Sequence, residues 1–126
     1  MCFLWVTDKQ RNWTEAEHIC QKEGGHLASV TKEIIQAYIF DRVGQNKVWI
    51  GATDQEREGS WEWSDSSPWD FKGWASGEPS GKGEGKERCV ELYNYDKDYR
   101  GWNDLDCAEA LNFTCAMPVS PGNSKW

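Results

Sequence analysis

Oxygen-bearing side chains concentrate between Glu78 and Asp104. Glu78-Pro79-Ser80 opens this stretch and Trp102-Asn103-Asp104 closes it; Glu87 stands two residues ahead of Cys89, and Cys107 follows close behind. A cysteine bridge of that spacing would pin the segment and draw its acidic ends together. Several oxygen side chains, three of them carboxylates, would then converge on one point of the surface. Hard oxygen ligands with no His or Cys among them suit calcium rather than zinc or copper. The stretch reads as a calcium-dependent binding site, against the plainer alternative of an acidic, solvated loop.

The elements that must hold such a site follow from pattern. Phe3-Leu4-Trp5-Val6 reads as a strand. Thr14 and Glu17 fit the N-cap and third positions of a capping box. Ala16, Ile19, Cys20 and Glu23 then keep helical spacing until Gly24-Gly25 stops the helix. A second helix starts at Thr31, with Ile34, Ile35, Tyr38 and Ile39 as its core-facing stripe. Val48-Trp49-Ile50-Gly51-Ala52 reads as a strand buried on both faces, and Trp61 to Asp65 alternates as a half-buried strand. From Ser64 to Gly85 neither period appears; so long an irregular stretch in a small domain should be either functional or wrongly assigned. Trp69, Phe71 and Trp74 would give that loop a small core of its own. Strands return at Cys89 to Tyr93 and Leu111 to Met117. The reading is one domain over residues 1–117 with a short polar tail at 118–126.

Composition narrows the function. The 126 residues carry a net charge of −7, which argues against nucleic acid or anionic membrane as partners. The apolar run Cys2 to Val6 falls far short of the roughly 20 residues a membrane span needs. Five cysteines, nine tryptophans and two Asn-x-Thr sequons, at Asn12 and Asn112, point to a secreted, extracellular protein. His18 and His26, the only histidines, form no motif that suggests catalysis or zinc and read as ordinary polar residues. No nucleophile–base pair or catalytic metal motif appears, so the expectation is a binding protein, not an enzyme.

Several short motifs in one order carry a family resemblance: WIGA at residues 49–52, WEWSD at 61–65, GEPS at 77–80 and WND at 102–104, in register with Cys20, Cys89, Cys107 and Cys115. Over roughly residues 2–117 the chain resembles a C-type lectin-like domain. The resemblance implies an α+β fold: two helices flanking two small antiparallel sheets, with a long irregular loop carrying the ligand site. It implies the disulfides Cys20–Cys115 and Cys89–Cys107, a choice that spacing alone leaves open. The chain-entropy model gives the long bridge about 4–5 kcal/mol and the short one about 3 kcal/mol. Carried over by resemblance, the principal calcium site falls on Glu78, Ser80, Glu87, Asn103 and Asp104, with Asp104 adding its backbone carbonyl. Calcium accepts about 6–8 oxygens, so positions remain for adjacent hydroxyls of a sugar that hydrogen-bonds the same side chains. The resemblance also implies a cis Glu78–Pro79 bond.

Three departures modify this picture. Ser80 stands where mannose-type relatives have Asn and galactose-type relatives have Asp, and its hydroxyl is shorter than an amide. Glu78 favours mannose, glucose or fucose, while galactose stays open because Tyr93, Tyr95 or Tyr99 could supply a stacking ring. At the accessory calcium site Asp54 and Glu58 match, but Gly81 and Arg88 replace acidic groups; Arg88 is expected to pair with Asp54 or Glu58 in place of a metal. Cys2 lacks the upstream partner found in longer relatives and reads as either an orphan of truncation or the bridge of a disulfide-linked homodimer. The reading is a secreted, calcium-dependent lectin for glycans on glycoproteins or microbial surfaces, a role in innate immunity. The alternative is a domain of the same fold that binds a protein or other non-sugar ligand.

Overall fold

The computed structural model describes residues 2–94 and 100–118, except 80–86, in full, and the backbone alone at 95, 96 and 99. Strand β1 (Cys2–Arg11) runs five residues beyond the apolar run that announces it. Helix α1 (Trp13–Lys22) follows at once. Its N-cap is Asn12, whose side-chain oxygen accepts from the Glu15 amide at 2.8 Å. Thr14, the expected cap, therefore lies inside the helix. Glu17, the expected third-position partner, turns inward instead and is only 5% exposed. Four donors reach its carboxylate: the Leu27 amide and Ser64 hydroxyl at 2.9 Å, Gln21 at 2.7 Å and His26 Nδ1 at 2.6 Å. A buried carboxylate is tolerable when its lone pairs are filled this way, and this one ties α1 to β2 (His26–Leu27) and to the segment after β4 (Glu62–Trp63). Gly24, at φ +96°, ends the helix as expected.

Helix α2 (Glu33–Val43) starts two residues later than expected, and of the expected stripe Ile35 and Ile39 meet the core while Ile34 and Tyr38 do not. Ile39, Phe40 and Val43 are buried, whereas Ile34 is 74% and Tyr38 is 52% exposed. The stripe ending at Ile39 competes with one continuing through Phe40 and Val43, and packing selects the latter. Tyr38 rests instead on Phe3 and Trp5, with ring centroids 5.4 and 6.0 Å away.

Strand β3 (Val48–Thr53) is buried at every residue, as its uninterrupted apolar run implies. It separates two cores. Val48, Ile50 and Ala52 face Val30, Ile39, Phe40, Val90, Leu92 and Trp102. Trp49 faces Trp13, Cys20, Leu27 and Phe113. Both indoles of the second core are satisfied by backbone carbonyls, Trp13 at Ile50 (2.8 Å) and Trp49 at Arg11 (3.0 Å).

With β5 (Cys89–Asp96), β6 (Tyr99–Leu105) and β7 (Leu111–Met117), the described strands form one sheet in the order β1-β7-β3-β5-β6, with β2 added to β7 and β4 to β3. The expected separate sheets are thus joined by a parallel β3–β7 pairing. The half-buried strand expected from Trp61 to Asp65 shrinks to Glu62–Trp63. Both disulfides form as the resemblance implies, Cys20–Cys115 from α1 to β7 and Cys89–Cys107 at the β5–β6 end.

Candidate functional site

The long loop is held to the sheet chiefly by one residue of β6. The Trp102 amide donates to the Gly73 carbonyl at 2.9 Å, and the Ala75 amide donates back to Trp102 at 3.0 Å. Around the Trp102 ring stand Trp63, Trp69, Phe71 and Trp74, with centroids 5.2–5.9 Å away. The loop aromatics therefore extend the main core and do not form a separate one. A further amide, from Glu78 to the Ala75 carbonyl at 3.0 Å, carries this anchorage to the first candidate ligand. Asn103 and Asp104 follow Trp102 directly. The Glu78–Pro79 peptide is cis, as the resemblance implies.

Pairing of β5 with β6 sets Asp104 opposite Val90 and Asn103 opposite Glu91. Glu87 lies just ahead of β5, two residues before Cys89, whose bridge to Cys107 anchors this end. Asp104 is almost fully buried, and Glu78, Glu87 and Asn103 are half-buried. Ser80, the fifth candidate ligand, and Gly81 lie outside the described residues. Glu78, Glu87 and Asp104 are each engaged with other groups. Among the described residues no three His, Cys, Asp or Glu side chains form a group that could hold a metal.

One residue beside the candidate ligands escaped the sequence reading. Glu91 is 2% exposed, and its Oε2 accepts from the Asn103 side-chain amide at 2.6 Å. Its Oε1 is buried without a hydrogen-bond partner. Burial pushes the Glu91 carboxyl above its ordinary value, and the Asn103 hydrogen bond pulls it partly back. With its nitrogen committed to Glu91, the Asn103 amide must direct Oδ1 to its other side. An amide orientation fixed from behind is what a carbonyl ligand needs. This donor set, carboxylates plus an oriented amide oxygen, fits a hard cation.

At the accessory position Arg88 does pair with Asp54. Its Nη2 donates to the Asp54 carbonyl at 2.7 Å and its Nε approaches Oδ1 at 3.5 Å, while the Gly59 amide donates to Oδ2 at 2.8 Å. A guanidinium thus supplies the positive charge there, and Glu58 stays exposed. His26 is structural, bound to Glu17. A polar cleft of about 590 Å³, lined by Trp13, Gln55, Glu56 and Glu62 among others, contains none of the candidate ligands.

The Lectin C-type domain matches residues 9–117. The chain belongs to the C-type lectin family, whose members are binding proteins, not enzymes. It is 42% identical over 123 residues to C-type lectin LmsL of Lachesis stenophrys, covering 91% of this chain and 88% of that one. Among solved structures it resembles the C-type lectin domain of murine dendritic cell inhibitory receptor 2 in complex with N-glycan. There the TM-score is 0.81 at 28% identity, with 90% of this chain and 88% of that one covered. It also resembles a calcium-independent type II antifreeze protein, with a TM-score of 0.81 at 31% identity over 90% and 83% of the two chains. Among the described residues no helix is long and apolar enough to cross a membrane.

Proposed function

We propose that this domain is a secreted, calcium-dependent lectin whose ion is held by Glu78, Ser80, Glu87, Asn103 and Asp104. The observation that carries this reading is the Asn103–Glu91 bond. Keeping a carboxylate buried costs stability, and its visible effect here is to orient one amide. Calcium, when bound, supplies a positive centre with positions open to two sugar hydroxyls. The residues around it do the selecting: carboxylates accept from those hydroxyls, and charge strengthens the bonds. Glu78 favours mannose, glucose or fucose over galactose. The relatives support glycans as ligands, since one is named a lectin and another was solved with an N-glycan. Glycans on glycoproteins or microbial surfaces, met outside the cell, are the corresponding partners.

Cys2 is exposed at the start of β1 and outside both disulfides. A bridge from it to a second copy would pair two sites and raise avidity for clustered glycans. The second reading, a non-sugar ligand, draws on the likeness to a calcium-independent antifreeze protein. Retention on immobilised mannose and galactose, in calcium and in chelator, separates the two. Calcium-dependent retention, stronger on mannose, is expected; retention on neither sugar in calcium favours the non-sugar ligand.

A further inference from the structure

A cleft of about 420 Å³ opens between α2, the loop at residues 71–74 and the beginning of β6. In a chain of net charge −7 it gathers two cations, Lys72 and Arg100. Among the described residues neither forms an ion pair with a carboxylate. The Arg100 guanidinium lies over the Phe40 ring, 5.2 Å from its centroid. Stacking of this kind orients the plane of the group, and its donor fork matches a two-oxygen face of an oxyanion. Gln36 crosses the floor: its Nε2 donates to the Gly73 carbonyl at 3.3 Å, while its Oε1 is buried without a partner. Phe71 and Trp74, both half-buried, add apolar ring surface on which the C–H face of a sugar can rest. Glu33, on the rim, is an acceptor for hydroxyls and disfavours a ligand that is only an anion.

We propose that this cleft is a second saccharide site, specific for a sugar unit bearing a sulfate or carboxylate. Cations take the anionic group, Glu33 takes a hydroxyl, and the aromatic rings take the apolar face. Binding here needs no calcium. The two sites are nevertheless mechanically joined, because Trp102 holds Gly73 on the cleft side and precedes Asn103 and Asp104 on the other. Arg100 and Asp104 are four residues apart on β6, about 13 Å at the strand rise. If the proposed calcium site is occupied, one acidic glycan chain could reach both; that extension alone rests on the lectin reading.

The test is titration of the whole domain with N-acetylglucosamine 6-sulfate, glucuronic acid, uncharged N-acetylglucosamine and inorganic sulfate. It is done in chelator and followed by calorimetry and by the Trp74 and Gln36 side-chain N–H signals in NMR. At least one acidic sugar should bind and move those signals, weakening as salt rises; which one binds separates sulfate from carboxylate recognition. Uncharged sugar and sulfate should bind at least tenfold more weakly. Arg100→Ala should weaken the acidic sugar at least tenfold and Arg100→Lys less, with calcium-dependent mannose retention unchanged in both. Sulfate binding as well as the sulfated sugar would mean an adventitious ion only and overturn the proposal. So would an Arg100→Ala variant that binds like wild type, or binding that appears only with calcium. Failure of wild-type protein to bind mannose or galactose in calcium would count against the lectin reading and leave this one standing.

Discussion

Glu91→Ala is the sharpest probe of the proposed calcium site, because it removes the acceptor behind Asn103 while leaving every proposed ligand residue in place. Without that acceptor the amide can turn about its terminal torsion and exchange carbonyl for NH₂. Loss of an outer partner of a metal ligand typically lowers affinity about 10–100-fold, or about 1.4–2.8 kcal/mol. The bond itself argues for the same size, since hydrogen bonds to charged groups are worth about 1.5–3 kcal/mol. Stability should respond differently. Burial raises the Glu91 carboxyl in the folded protein, so the folded state holds that proton more tightly than the unfolded one. The resulting stabilisation is present below the ordinary carboxylate range and is lost as pH rises through the folded value. Glu91→Gln keeps an acceptor for Asn103 and never ionises. In chelator it should match or exceed wild-type melting temperature at neutral pH and lose that advantage in acid. Calcium calorimetry on wild type, Glu91→Ala and Glu91→Gln, with melting curves against pH, measures both effects. Unchanged calcium affinity in Glu91→Ala would refute the idea that Asn103 binds through an oriented carbonyl.

Glu87→Ala should abolish calcium-dependent sugar retention with the circular dichroism spectrum unchanged; retention at wild-type strength would remove Glu87 from the site. At an affinity of about 0.1–1 mM, 10 mM calcium should stabilise the fold by about 1.4–2.7 kcal/mol. That is a rise of about 5–10 °C in melting temperature, and equal melting in calcium and chelator would contradict the site. Ser80→Asn should raise calcium affinity and shift selectivity toward mannose by about 1 kcal/mol. Calorimetry showing equal or weaker calcium binding would end the preference for mannose. Glu17→Ala strands the buried Leu27 amide along with Ser64 and Gln21, and should cost about 2–4 kcal/mol in urea denaturation. A loss below about 0.5 kcal/mol would mean that water replaces the carboxylate.

What the sequence makes legible depends on whether a signal is local. The burial of β3 on both faces is written in five consecutive apolar or small residues and needs no partner to be recognised. The motif order and framework cysteines are legible because they repeat a family pattern, and the disulfides follow from it. The pairing of Arg88 with Asp54 is legible because a cation standing in an acidic position must find a carboxylate. The face of α2 is not, because two stripes one residue apart are equally apolar, and only the sheet beneath chooses between them. The cap of α1 is misread because Asn12 and Thr14 are both good caps; Glu17 is drawn inward by donors from β2 and from Ser64, which no local pattern contains.

Glu91 shows the same limit at the site itself. In the strand Cys89-Val90-Glu91-Leu92 a glutamate reads as the polar step of an alternation, facing water. Its burial follows from two registers at once, Trp49 opposite it on β3 and Asn103 opposite it on β6. Each is a long-range pairing, and a shift of one residue between β5 and β6 would turn a different side chain toward Asn103. The ligands of the proposed ion can thus be read from a motif, whereas the group that aims one of them is specified only by how the strands meet.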